Sequence, residues 1–255
     1  MTPHGHRNAL DRVKSALAPL AYIPLLEWPK FLGYRRGMGS GETIFHVKGL
    51  HCGLRARAAT TDAVTIESVF GCAYHLPPRP LRDDAVILDL GANAGYAAAH
   101  FATLYPRARV IALELDAGNA ELARRNLAPF HGCELVHAGV WIEDGEIEYA
   151  GDTEDGFAIA SGGTRKAPAI TVPTLLDQRK LDKADYVKMD IEGAEWPLFG
   201  QPSWLGRVDA ISVEVHQRGW VEDIAATLQR AGFITDRSKH HWALLTGYRE
   251  HSGPR

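Results

Sequence analysis

The sequence predicts an α/β fold: a doubly wound, mostly parallel Rossmann-like sheet over residues 81–255, preceded by an N-terminal extension of helices and a short hairpin over residues 1–80. Three observations predict it. From residue 85 onward, short apolar runs alternate with helix-length segments, the pattern of parallel strands joined by crossover helices. The first run, AVILDL (85–90), is continuously apolar up to its aspartate, as a strand buried on both faces requires. A glycine turn, LGANAG (90–95), then leads directly into a helical stretch.

The elements follow in order. ALAPLAYIPLL (16–26) is broken by Pro19 and Pro24 and runs into Glu27, Trp28 and Pro29; it reads as N-terminal helices packed on the main domain. ETIFHVKGLHCGLRARA (42–58) predicts a hairpin, and TDAVTIESVFG (61–71) a helix capped by Thr61 or Asp62. AGYAAAHFATLY (94–105) is the first crossover helix, RVIALEL (109–115) the second strand and GNAELARRNLA (118–128) the second helix. CELVHAGV (133–140) reads as one third strand. GEIEYA (145–150) and PAITVPT (168–174) are antiparallel pieces around a loop, SGGTRKAP (161–168), whose composition predicts mobility. ADYVKMDI (184–191) is the fourth strand, with a short helix to Gly200, and VDAISVEV (208–215) the fifth. WVEDIAATLQRAGF (220–233) is an amphipathic helix and HWALLTGY (241–248) the last strand.

Composition limits the function classes. Of 255 residues, 45% are hydrophobic and 23% charged, ordinary for a globular protein. A net charge of −3 opposes a nucleic-acid partner. The apolar N-terminal segment is too short to span a bilayer, so stable membrane insertion is not expected. Cys52, Cys72 and Cys133 are odd in number and form no CxxC, which suggests reduced thiols and a cytoplasmic protein. His4, His6 and the His240–His241 pair lack zinc-ligand spacing. The sequence leaves a homodimer open.

Doubly wound sheets bind ligands beyond the C-terminal strand ends, near the point where strand order reverses. There the sequence places a glycine loop with Asp89 before it and Glu114 at the end of the next strand. A helix N-terminus after the loop offers free N–H groups, and a carboxylate at 114 can accept from both hydroxyls of a ribose. The spacing is D-x-G-x-x-x-G, without the G-x-G-x-x-G that brings backbone against a pyrophosphate. An acid before the loop instead suits a cofactor with a cationic amino-acid end and no phosphate, which describes S-adenosylmethionine. The expected cofactor set is Asp89, Gly91, Ala92, Asn93, Gly95, Tyr96, Glu114, Leu115, Asn119, Gly139, Val140 and Asp190, with Tyr74 as a cover.

The fourth strand ends in VKMDIEGAEW (187–196). By the two-residue strand period, Val187, Met189 and Ile191 fall on one side and Lys188, Asp190 and Glu192 on the other. Glu195 follows in the first turn of a helix, where an acid commonly serves only the helix dipole. Glu214 and His216 share a face at the end of the next strand. Two chemistries fit. In one, His216 is a general base with its ordinary pKa near 6.5, and Asp190, Glu192, Glu214 and Lys188 position an acceptor and balance charge. In the other, Asp190, Glu192, Glu214 and His216 bind Mg²⁺ or Mn²⁺. Spacing does not choose between them.

VPTLLDQRKLDKADYVKMDIEGAEWPLF (172–199) resembles the signature of the FkbM-type methyltransferases, with its Lys-x-Asp-x-Glu-Gly-x-Glu run. DLGANAGY (89–96) and ISVEVH (211–216) match too, and RAATTDAVTIESVFGCAY (57–74) is similar to the family's entry segment. The resemblance spans roughly residues 55–216. It implies a class I methyltransferase fold, S-adenosylmethionine as donor and a hydroxyl of a small molecule as acceptor: a polyketide, a sugar or a glycolipid-like precursor. Transfer to nitrogen or carbon is the alternative. Trp141 and the cationic, aromatic segments HQRGW (216–220) and RSKHHW (237–242) are candidate edges of the pocket.

Overall fold

The structure is a computed structural model that describes residues 18–153, 156–238 and 241–250. His4, His6, His240 and residues 16–17 of the N-terminal apolar segment lie outside the described residues. The chain divides into two compact units, Met1–Ala73 and Tyr74–Arg255.

In the first unit, a 3₁₀ turn at Ala18–Ala21 precedes helix α1 (Trp28–Arg35), which has proline in its first turn. Strands β1 (Glu42–His46) and β2 (Gly53–Arg57) form the expected antiparallel hairpin, with Phe45 opposite Leu54. Phe31, Tyr34 and Phe45 pack edge to face, at 5.2 Å between the Phe31 and Phe45 rings and 5.3 Å between Tyr34 and Phe45, the geometry that aromatic quadrupoles favour. Helix α2 (Asp62–Glu67) continues into a π turn at Ser68–Cys72. The expected cap is not made. Asp62 is fully buried and accepts from the backbone N–H of Arg57 at 2.7 Å and from its guanidinium at 2.9 and 2.8 Å. A bidentate charge-assisted pair outcompetes a cap bond.

The second unit is built on a seven-stranded sheet. Its strands are β3 (Val86–Leu90), β4 (Arg109–Glu114), β5 (Cys133–His137), β10 (Tyr186–Met189), β11 (Ala210–Glu214), β12 (Ile234–Arg237) and β13 (Leu244–Tyr248), in the order β12-β13-β11-β10-β3-β4-β5. β13 alone runs antiparallel to its neighbours. Strand order reverses at β3, which pairs with β4 on one side and β10 on the other. This is the doubly wound, mostly parallel sheet that the sequence predicts. Crossover helices α3 (Tyr96–Leu104), α4 (Ala117–Leu127), α5 (Val172–Gln178), α6 (Glu195–Gly200) and α7 (Val221–Arg230) flank it. Every residue of β3 and β10 is buried. Leu88, Leu90, Val187, Met189, Ile211 and Val213 belong to one apolar cluster that continues into Ile224 and Leu228 of α7.

Three elements differ from expectation. The third strand breaks at Ala138, whose N–H turns to the carbonyls of Glu114 and Val136. The remainder, β6 (Gly139–Val140), joins a separate sheet of order β6-β9-β7-β8, with β7 at Gly145–Ala150, β8 at Ala158–Ile159 and β9 at Arg165–Ile170. Half of the expected loop 161–168 is therefore strand, paired antiparallel to β7. β12 was not expected; its residues are polar and largely exposed, so no apolar alternation marks it. Among the described residues, no helix is long and apolar enough to cross a membrane, and Cys52, Cys72 and Cys133 are free.

Candidate active site

The reversal at β3 collects the polar strand ends of the second unit in one place. On the β4 side lies the glycine turn. Gly91, Asn93 and Gly95 all have positive φ, at 79°, 50° and 82°. A Cβ on Gly91 would lie 1.7 Å from the backbone oxygen of Asp190, so only glycine lets the turn pass the end of β10. The N–H groups of Gly91 and Ala92 are spent on the carbonyl of Leu113 at 3.1 and 2.8 Å, which pins the turn to β4.

Glu114 is 6% exposed. Its Oε2 accepts from the N–H of Asn93 at 2.7 Å and its Oε1 from the N–H of Asp116 at 2.8 Å. Burial pushes this carboxyl up to about 7 against the pull of those two N–H donors. The two N–H groups fix its orientation through backbone, and the side chain of Asn119 also hydrogen-bonds to it. Asp116 caps α4 by accepting from the N–H groups of Gly118 and Asn119. It also receives the guanidinium of Arg165 at 2.6 Å and the hydroxyl of Tyr149 at 3.3 Å. Leu115 packs near Gly139, where an added Cβ would come within 3.0 Å of it. Gly139, Val140, Asn119 and Tyr96 are buried.

Lys188 joins the two halves. It is 3% exposed; its Nζ donates to the carbonyl of Gly91 at 2.7 Å and lies 3.2 Å from Asp89 and 3.7 Å from Asp190. Burial opposes its charge, but Asp89, Tyr74 and Asp190 outweigh that and hold the proton on. Asp89, fully buried, is thus the partner of Lys188 beneath the turn, and burial raises its pKa.

Beyond Lys188 stands the acidic half. Asp190 accepts from Tyr74 Oη at 3.3 Å. His216 reaches across from the end of β11, with Nε2 3.6 Å from Asp190 Oδ1 and 3.3 Å from Glu192 Oε1. Its Nδ1 meets Glu195 Oε1 at 2.9 Å. Glu195 is fully buried, and the same oxygen accepts from the N–H of Ile191 at 3.2 Å. Glu195 is the residue that spacing missed: read alone it is an acid in a first helical turn, whereas in the fold it holds the imidazole. The surroundings also reverse the charge state expected of His216. Burial disfavours the cation, yet Glu192 and Glu195 override it and push the pKa up to about 11. Glu214 moves the other way from an ordinary carboxylate: burial and Asp190 push it up to about 7.

The model of the methyltransferase FkbM domain matches residues 89–235, more than half of the chain and all of the strand ends just described. The chain is a member of the FkbM methyltransferase family. The chain is 28% identical to the 2-O-methyltransferase NoeI of Sinorhizobium fredii, with 45% of the chain and 56% of the relative covered. It is 29% identical to the O-methyltransferase imqG of Aspergillus flavus, with 41% and 51% covered. The chain thus spans about half the length of the curated relatives it matches. Among solved structures, methyltransferase FkbM from Methylobacillus flagellatus is similar over 88% of this chain and 59% of that one, at 15% identity and a TM-score of 0.46.

Proposed function

We propose that the enzyme transfers a methyl group from S-adenosylmethionine to a hydroxyl of a small metabolite. The observation that carries this reading is Glu114. A buried carboxylate with both oxygens aimed by backbone N–H groups, one of them from the glycine turn, is suited to a ribose diol. Gly91, Ala92, Asn93, Gly95, Leu115, Asn119, Gly139 and Val140 would surround the nucleoside, and Asp190 and Tyr74 would meet its amino-acid end. S-adenosylmethionine supplies an electrophilic methyl on a sulfonium.

The acceptor oxygen would approach from the side of Glu192, Glu214 and His216. Its lone pair forms the C–O bond as the C–S bond breaks, and the sulfonium becomes a neutral thioether. The hydroxyl proton passes to Glu214, whose pKa near 7 lets it serve as a carboxylate base at neutral pH. His216, charged between its carboxylates, orients rather than deprotonates. Alignment of oxygen, methyl and sulfur contributes most, up to roughly 7–11 kcal/mol for a well-oriented pair. The relatives' names favour oxygen as acceptor atom. The stacked Trp196 and Trp220 rings, 5.3 Å apart, follow Glu195 and His216 in the chain and offer a flat apolar surface suited to a sugar or polyketide.

Isothermal titration tests the donor half: Glu114→Ala should abolish S-adenosylmethionine binding while leaving the melting curve cooperative. Unchanged affinity would remove the ribose assignment. Mass spectrometry of a metabolite extract incubated with enzyme and labelled donor tests the acceptor half; label appearing on nitrogen or carbon would overturn the assignment to oxygen.

A further inference from the structure

We infer that Asp190, Glu192 and His216 form a binding site for one divalent first-row cation, of which Mn²⁺ is the fitting probe. One donor atom from each residue lies within 4.8 Å of the other two. Asp190 directly follows β10, Glu192 lies in the turn after it, and His216 follows β11 by two residues, so two neighbouring strands deliver all three donors.

Two features separate this group from an ordinary ion-paired histidine. First, the two sides of the imidazole differ. The Nδ1 contact to Glu195 is 2.9 Å, the length of a charge-assisted hydrogen bond. The Nε2 contacts are longer, at 3.3 Å to Glu192 and 3.6 Å to Asp190. Charge-assisted N–H···O bonds run at about 2.7–2.9 Å, so Glu192 holds Nε2 only by a long hydrogen bond and Asp190 stands farther still. Adjacent ligands of an octahedral ion with bonds of about 2.1 Å stand roughly 3 Å apart, and those of a tetrahedral ion somewhat more. The two Nε2 distances lie close to that range.

Second, the histidine is held from behind as metal-bound histidines are. Glu195 is fully buried, and its Oε2 has no hydrogen-bond partner among the described residues. A cation on Nε2 would displace the proton that the imidazolium carries there, and the buried carboxylate on Nδ1 would then fix the tautomer, the outer-shell arrangement that tunes a ligating imidazole. Lys188 pairs with Asp190 through Oδ2 at 3.7 Å, while its shorter contacts go to Asp89 and the carbonyl of Gly91; Asp190 Oδ1 is the oxygen that faces His216.

The donor set is two carboxylates and one imidazole. Carboxylates suit Mg²⁺ and Mn²⁺, and the imidazole favours the softer of those two. The side chains of Asp190, Glu192 and His216 keep 22%, 32% and 23% exposure, so the remaining coordination positions face outward, where water or a hydroxyl could enter. A cation there would lower the pKa of an acceptor hydroxyl beside the proposed base Glu214.

Manganese binding without cofactor or acceptor isolates this site from the methyl-transfer reading. Metal-stripped enzyme titrated with Mn²⁺, followed by the loss of the free-ion electron paramagnetic resonance signal, should show one saturable site per chain. Glu192→Gln lies at an exposed position and should fold normally, confirmed by its melting curve, yet lose most of the affinity. Glu195→Gln should weaken binding by about 10–100-fold, the usual effect of removing an outer-shell partner. Glu114→Ala should leave it unchanged. No saturable binding below millimolar Mn²⁺ in the wild type, or equal binding in Glu192→Gln, would overturn the assignment; S-adenosylmethionine binding retained in that same metal-stripped protein would show that the donor reading stands without it.

Discussion

Replacing Gly91 with alanine should destabilise the fold measurably. At φ 79° an alanine pays the left-handed penalty, about 1–2 kcal/mol. Its Cβ would also lie 1.7 Å from the Asp190 carbonyl oxygen, where 3.0 Å is the closest approach that real Cβ atoms show. The turn or the end of β10 must therefore retreat by more than an ångström, and overpacking of that kind costs about 1–3 kcal/mol. The sum is roughly 2–5 kcal/mol, or a fall in Tm of about 4–20 °C for a domain of 150–250 residues. Gly193→Ala is the control. Its φ is also positive, at 98°, but nothing lies within 4 Å of the added methyl, so it pays the dihedral part alone. Differential scanning calorimetry of both variants separates the two contributions. If Gly91→Ala melts no lower than Gly193→Ala, the close approach of turn and strand is not what makes glycine necessary.

Other outcomes follow from the buried charges. Lys188→Met strands Asp89, fully buried, without its counter-charge and should destabilise by about 3–5 kcal/mol; adding Asp89→Asn should recover much of that in chemical denaturation, and simple additivity would contradict the pairing. For Glu214 the folded value near 7 lies above the ordinary carboxylate value of 4.5, so its protonated form is the one the fold prefers. Its contribution to stability is complete below about pH 4.5 and is lost as pH rises through about 7. Glu214→Gln should therefore flatten that part of the Tm-against-pH curve. It should also remove the limb of kcat/KM that rises with pH near 7, and a limb that persists in the variant would assign the proton to another group.

The glycine turn and Glu114 were legible because their constraints are local. A turn that must squeeze past a neighbouring strand needs glycine, and an acid at the next strand end stands out against the apolar residues before it. β3 and β10 were legible for the same reason: strands buried on both faces leave continuous apolar runs. Edges were not. β12 and the start of β9 are polar because they face solvent, so nothing distinguishes them from loop. The break at Ala138 is decided by a carbonyl on another strand. Asp62 looks like a helix cap until Arg57, five residues earlier, folds back on it. Glu195 and His216 are 21 residues apart, and only the pairing of β10 with β11 brings them together. The raised pKa of His216 has two carboxylate sources, Glu192 and then Glu195; the sequence placed the first at the same strand ends but not the second.

A single ammonium group, that of Lys188, touches the glycine turn, the acid beneath it and the first acid of the opposite half. On the proposed function, donor grip and acceptor chemistry would share one mechanical and electrical joint. Mutant libraries that leave the lysine and its buried counter-ion untouched should then hold the larger share of working catalysts.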